Sequence, residues 1–196
     1  FSMDGDLCPL SEIVKLKEKH GALLFLDEAH AIGVLGQTGQ GLAEKLNLQD
    51  QIDFQMGTLG KSLGSAGGYL AASRPWIDLF INKARSLVYS TAPPPSQAAA
   101  SLAALKLLNS PEGIARRDRL KTYSDSFGSP TPIIPKIIGE NRSALAASGS
   151  LLKSGFLVPA IRDPTIPRGT ARLRITLSAA HSTENLSDLK EALALL

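Results

Sequence analysis

The sequence predicts an α/β protein with a second, smaller α+β domain at its C-terminal end. Three observations carry that prediction. Leu23-Leu24-Phe25-Leu26-Asp27-Glu28-Ala29-His30 is a short apolar run that ends abruptly in charge, the pattern of a buried strand with a site at its carboxyl end. Gly57-Thr58-Leu59-Gly60-Lys61-Ser62 sets a glycine-flanked lysine just after another such run. At Ser126-Phe127-Gly128-Ser129-Pro130-Thr131-Pro132 the composition shifts, and a compact series of strand and helix signals follows. The expected domains are 1–125 and 126–196.

In chain order, Phe1 to Asp6 reads as a strand end running into a turn, since Asp4-Gly5 is a turn signal. Pro9 and Ser11 open a helix with Leu10, Ile13, Val14 and Leu16 on one face, and Gly21 stops it. Leu23 to Leu26 is the buried strand. Gly33, Gly36, Gly39 and Gly41 follow, a density that lets backbone approach a ligand or a neighbouring subunit. Ile52 to Gly57 and Gly68 to Ala72 are two further strands, with Lys61 in the loop between them. A helix runs from Pro75 through Phe80. Pro93-Pro94-Pro95 cannot lie inside a helix, although the last can start one, here an Ala/Leu helix from about 96 to 109. A charged helix continues from Pro111 to about Tyr123. The small domain then reads strand (133–138), helix (141–154), strand (156–161), Pro/Gly loop, strand (171–177) and helix (183–196).

The totals narrow the function classes. With 196 residues, 43% hydrophobic and 20% charged, the chain is of ordinary globular composition and long enough to bury a core. A net charge of +3 without a Lys/Arg run argues against a nucleic-acid stripe. One cysteine, Cys8, excludes an intramolecular disulfide and a cysteine zinc cluster, and no metal site is expected. No apolar run is long enough to span a membrane. The chain starts at Phe1 without an initiator Met or targeting peptide, and is expected to be a fragment of a longer protein.

Two chemistries compete for the same letters. Asp27-Glu28-Ala29-His30 beside Gly60-Lys61-Ser62 suggests an ATPase. However, a phosphate loop needs a glycine where Gln55 stands, and the acidic strand precedes the lysine loop instead of following it. The alternative uses Lys61 as a Schiff-base amine for an aldehyde cofactor, and Asp27 to hold a pyridinium nitrogen protonated. Thr58 and Ser62 would then serve a phosphate.

These segments, with Phe1-Ser2-Met3-Asp4-Gly5-Asp6 and Gly169-Thr170-Ala171-Arg172-Leu173-Arg174-Ile175-Thr176, resemble the α-oxoamine synthases, nearly over the full chain. The resemblance implies a PLP-dependent transferase of fold type I, with a mostly parallel sheet that is incomplete here. Pro159-Ala160-Ile161-Arg162, Pro164-Thr165-Ile166-Pro167 and Thr176-Leu177-Ser178-Ala179-Ala180-His181 are most similar to the branch acting in biotin biosynthesis. That branch condenses L-alanine with pimeloyl-CoA or a pimeloyl-carrier protein, releasing CO2 and free thiol. The resemblance further implies pyridoxal 5'-phosphate as cofactor and a cytoplasmic homodimer with shared active sites.

Residue by residue, Lys61 would carry the cofactor and later remove the Cα proton. Asp27 would pair with the ring nitrogen, and His30 with the phenolic oxygen or the substrate carbonyl. Thr58 matches the phosphate-binding threonine, Ser2 a serine next to the cofactor, and Thr91 a residue reaching the partner subunit's phosphate. Arg162 and Arg174 match arginines for the amino-acid carboxylate, which a planar guanidinium suits better than an ammonium does. Arg172 shares a face with Arg174 only if no twist or bulge intervenes, and is left aside. His181 reads as structural.

Family members carry a long N-terminal part that is absent here, and the stretch between Leu120 and Ile133 is shorter than in relatives. The alternatives are a sister synthase using glycine with acetyl-CoA or serine with a long acyl-CoA, a non-catalytic subunit, or an inactive fragment.

Overall fold

The structure is a computed structural model and describes residues Phe1 to Leu196. Two compact units form, Cys8–Ala115 on one hand and Phe1–Leu7 with Arg116–Leu196 on the other.

The unit Cys8–Ala115 opens with helix α1 (Leu10–His20), which buries Leu10 and Val14 and ends at Gly21 in a left-handed conformation. Strand β1 (Phe25–Asp27) follows, then the glycine-rich loop, a one-turn helix α2 (Leu42–Lys45) and strand β2 (Phe54–Thr58). Strand β3 (Gly68–Ala72), helices α3 (Arg74–Lys83) and α4 (Arg85–Val88), and the long helix α5 (Pro95–Leu108) complete it. The sheet order is β1-β2-β3, with β1 parallel to β2 and β3 antiparallel.

One ionic link locks α1 to the strand starts. Lys17 Nζ donates to Gln51 O (2.7 Å) and pairs with Asp53 (2.8 Å), and Asp53 accepts the Leu24 N–H (2.7 Å). These donors hold the Asp53 carboxyl below the usual carboxylate range. On one face of the sheet, Phe54 packs edge-on against Trp76 (5.2 Å) and near Phe80 (5.7 Å), so the aromatic spacing of α3 is explained by the strand it covers. Helix α5 is apolar on every side, yet Leu102 and Leu105 are exposed, as are Leu79 and Ile81 of α3.

Two expectations need correction here. The strand expected at 23–26 is Phe25–Asp27, and only Leu26 within it is buried. Leu23 and Phe25 are exposed. In addition, Phe1 to Asp6 contains no strand; it is a turn closed by the Gly5 N–H on Phe1 O (2.8 Å).

The second unit is built on β4 (Ile133–Gly139), β5 (Ala160–Ile161) and β6 (Ala171–Thr176), an antiparallel sheet with β6 at its centre. Helices α7 (Asn141–Lys153) and α8 (Thr183–Ala194) pack on one face, as does the C-terminal part of α6 (Pro111–Ser126). Leu173 and Ile175 point into this core with Leu151, Val158, Leu186 and Leu189. Strand β5 is shorter than the expected 156–161: Gly155 takes a positive φ, Leu157 is exposed, and Pro159 brings no amide to a ladder. Ser182 and Asn185 form a reciprocal capping box at the start of α8. His181 Nδ1 accepts the Ser178 N–H, and the His181 carbonyl accepts the Tyr123 hydroxyl.

Candidate active site

Strand β1 ends in two acids that alternation sends to opposite faces of the sheet. Asp27 pairs with Met56, so it shares a face with Thr58 two residues on. One of its oxygens, Oδ1, accepts the Ala29 N–H (2.8 Å), while Oδ2 makes no hydrogen bond within the chain. Glu28 turns the other way and is buried. Its two oxygens accept the Leu42 (2.9 Å) and Ala43 (2.8 Å) N–H groups at the start of α2. Burial pushes the Glu28 carboxyl above its usual value, against the two amides that favour its charge.

The glycines of the loop serve this packing. A Cβ on Gly41 would strike the Glu28 carboxyl at 2.6 Å, and one on Gly36 would strike Glu44 at 2.0 Å. Glu44 in turn accepts the Thr38 and Gln40 N–H groups, both at 2.8 Å. The loop therefore closes on its own carboxylates. His30 lies in the turn that follows Glu28 and is half-buried, with Ala31 and Ile32 N–H groups bonded back to Glu28 O.

Lys61 sits near the tip of the connection between β2 and β3 and is exposed. That connection is held at three places. At its neck the Thr58 hydroxyl donates to Gly67 O (3.1 Å) and accepts the Gly60 N–H (3.2 Å). On the α5 side Ser65 Oγ donates to Gln97 O (3.0 Å), and the Gln97 amide donates to Ala66 O. On the glycine-loop side Ser62 lies against Gly33, so close that a Cβ there would come within 2.7 Å of it. Tyr69 covers Gly57 in the paired position on β3, and burial raises its hydroxyl pKa, with Glu28 adding to the effect.

Asp27, His30, Thr58 and Lys61 thus gather at the carboxyl ends of β1 and β2, where open α/β sheets place their ligands. Thr91 belongs to the same unit and lies in the exposed segment between α4 and α5. Ser2, Arg162 and Arg174 belong to the other unit. Arg162 follows the last residue of β5, whose Ile161 pairs with Arg172. Arg174 donates from Nε to Ser2 O (2.6 Å) and from Nη1 to Thr176 Oγ1 (2.9 Å), and burial lowers its pKa. It is the carbonyl of Ser2, not its hydroxyl, that makes this bond.

Chemically, an exposed amine on a fixed loop, a carboxylate with one uncommitted oxygen and an imidazole suit an aldehyde-bearing heterocycle that works protonated. Thr58 has its hydroxyl proton committed to Gly67 O and its oxygen accepts the Gly60 N–H, so as placed a phosphate would take its hydrogen bonds from other N–H or O–H donors of the loop.

Residues 1–193 match the model of aminotransferase class I and II, and the chain belongs to that family. Its fold is that of the PLP-dependent transferases expected from the sequence. Among curated relatives, the 8-amino-7-oxononanoate synthase of Geobacter sulfurreducens is 48% identical over 99% of this chain and 52% of its own length. That of Anaeromyxobacter dehalogenans is 46% identical, over 99% and 51%. Among solved structures, Sphingomonas wittichii serine palmitoyltransferase superposes with a TM-score of 0.91 at 30% identity, over 98% of this chain and 51% of that one. The 8-amino-7-oxononanoate synthase of Francisella tularensis gives 0.82 at 25%, over 100% and 59%. The chain spans about half the length of the curated relatives it matches.

Proposed function

We propose that this chain belongs to an α-oxoamine synthase that condenses L-alanine with a pimeloyl thioester, with loss of CO2, in biotin synthesis. The observation that carries the proposal is the gathering of Asp27, Thr58 and Lys61 at one end of the parallel pair β1–β2, with Asp27 and Thr58 on one face. Identities of 48% and 46% to synthases named for 8-amino-7-oxononanoate support the choice of alanine and pimeloyl substrates.

Pyridoxal 5'-phosphate, when bound, supplies an aldehyde for an amine and a ring that accepts electron density from the amino-acid Cα. Lys61 would hold the cofactor through its amine, and the same amine would take the proton from the substrate Cα. Asp27 Oδ2 keeps the ring nitrogen protonated, His30 hydrogen-bonds the ring oxygen or the substrate carbonyl, and Thr58 and Ser2 line the cofactor. Thr91 reaches the phosphate of the second subunit in a homodimer. Arg174, with Arg162, takes the amino-acid carboxylate. A Cα–C bond forms to the acyl carbon as the C–S bond breaks and the thiol leaves. The carboxylate departs as CO2, and a proton returns to Cα.

A second reading, serine with a long acyl thioester, is favoured by the TM-score of 0.91 to a serine palmitoyltransferase. Product analysis of the full-length protein with alanine, glycine and serine separates the readings. Lys61→Ala is expected to abolish the visible band of the lysine-bound cofactor and its trapping by borohydride. An unchanged band refutes the assignment of Lys61.

A further inference from the structure

Arg172 and Arg174 lie on the same face of β6, because the pairing with β4 runs without interruption from Ile133 opposite Thr176 to Ile137 opposite Arg172. The only irregularity of that pairing comes later, between Ile137 and Gly139. The two guanidinium groups are nevertheless used differently. Arg172 is buried and has every nitrogen committed. Its Nε donates to Thr170 O (3.0 Å), Nη2 to Thr170 Oγ1 (3.1 Å), and Nη1 to the Asp4 carboxylate. Arg174 is half-exposed and commits Nε to Ser2 O and one Nη1 hydrogen to Thr176, so Nη2 is left uncommitted. Two residues apart on β6, the arginines grip two residues of the N-terminal turn that are also two apart.

The turn is also held beyond Asp4, at Gly5. Gly5 has a φ of 69°, and a Cβ on it would stand 1.9 Å from Ile133 O, so the backbone lies directly on the start of β4. Thr131 Oγ1 donates to Gly5 O (2.7 Å) from the same side. Ser2 O is therefore a fixed acceptor, and the Nε bond to it sets the plane of the Arg174 guanidinium.

We infer that the Asp4–Arg172 pair is a positioning device for Arg174. It pins the turn whose Ser2 carbonyl orients that guanidinium, so that its free edge is presented to a planar carboxylate. The inference rests on the carboxylate role of Arg174 proposed above, and assigns Asp4 and Arg172 a role that neither plays by touching a ligand. Arg172 is the poorer carboxylate reader of the two, since it is buried and each of its nitrogens already donates within the chain.

The test uses full-length protein loaded with cofactor and two probes, L-alanine and ethylamine, which carries the amine and no carboxylate. Binding is read from the absorbance change of the cofactor. Asp4→Asn is expected to weaken L-alanine about tenfold, the usual scale of a lost charge-assisted hydrogen bond, and to leave ethylamine within about twofold. Asp4→Glu, which restores the charge, is expected to recover part of the loss. Equal weakening of both probes, or of neither, overturns the inference. If Asp4→Asn does not fold, Arg172→Lys is read by the same two probes and the same criteria. Arg174→Lys provides the reference. If it does not discriminate between the probes, the carboxylate role falls and the inference with it. If it does, and the Asp4 and Arg172 variants do not, the positioning inference alone falls.

Discussion

Replacing Gly33 by alanine is expected to disturb the loop that carries Lys61, although the two residues are 28 positions apart (61 − 33). Two costs combine. The backbone at Gly33 has a φ of 77°, where an L side chain costs about 1–2 kcal/mol. The new methyl would also stand 2.7 Å from both Cβ and Oγ of Ser62. Carbon atoms in contact rest at about 3.5–4.0 Å, so one backbone or the other must retreat by about 1 Å, and such overpacking costs about 1–3 kcal/mol. The sum is about 2–5 kcal/mol. Ser62→Gly removes both atoms the methyl would strike and leaves only the backbone cost. A double-mutant cycle in urea, with borohydride trapping of cofactor on Lys61 as a second readout, separates the parts. The expected coupling is about 1–3 kcal/mol, with trapping impaired in Gly33→Ala and recovered in the double variant. If Gly33→Ala has the same effect in both backgrounds, the contact with Ser62 does not position the loop.

Three further outcomes follow from the packing. Asp53 has its folded pKa lowered by Lys17 and the Leu24 N–H, so its contribution to stability is present above the ordinary carboxylate value and is lost as pH falls through the lower folded one. Asp53→Asn should therefore destabilise at pH 7 by about 1 kcal/mol, with the gap closing as pH drops through the carboxylate range; a gap independent of pH contradicts this. Leu173→Ala, at a fully buried position in the centre of β6, should lower stability by about 2–5 kcal/mol in chemical denaturation. Ser182→Ala breaks the capping box of α8 and should cost about 1 kcal/mol, visible as a lower midpoint with an unchanged slope.

The placement of Asp27 and Lys61 at strand ends is legible because it follows local rules. An apolar run ending in Asp27 marks a strand end, and a lysine between glycines marks a loop. The proposed roles, and the choice of the C-terminal arginines, rest on the family resemblance. Glu28 was passed over, since nothing in four letters tells which of two adjacent acids turns inward; only the parity of the β1–β2 pairing decides it. The density of glycines suggests a ligand or a neighbouring subunit, and does not show that Gly36 and Gly41 make room for Glu44 and Glu28 of the same chain. Arg172 could be judged only with the register of β6 in hand, and its partner Asp4 lies 168 residues away, beyond the reach of any local pattern.

The grip of β6 on residues 1–5 makes Cys8–Ala115 an insertion within the chain of the smaller unit. Folding order follows from that connectivity. The turn is made before the inserted unit and stays unpaired until β6, beyond that unit, has been made. The entropy of closing so long a loop is a modest obstacle, since each doubling of length adds only about 0.6 kcal/mol. The delay is the larger matter: the inserted unit can collapse while its host is unfinished. Arg174 then receives its orienting carbonyl late, so a chain with its sheet formed and its first turn still loose would be native in most of its contacts and unable to aim that arginine.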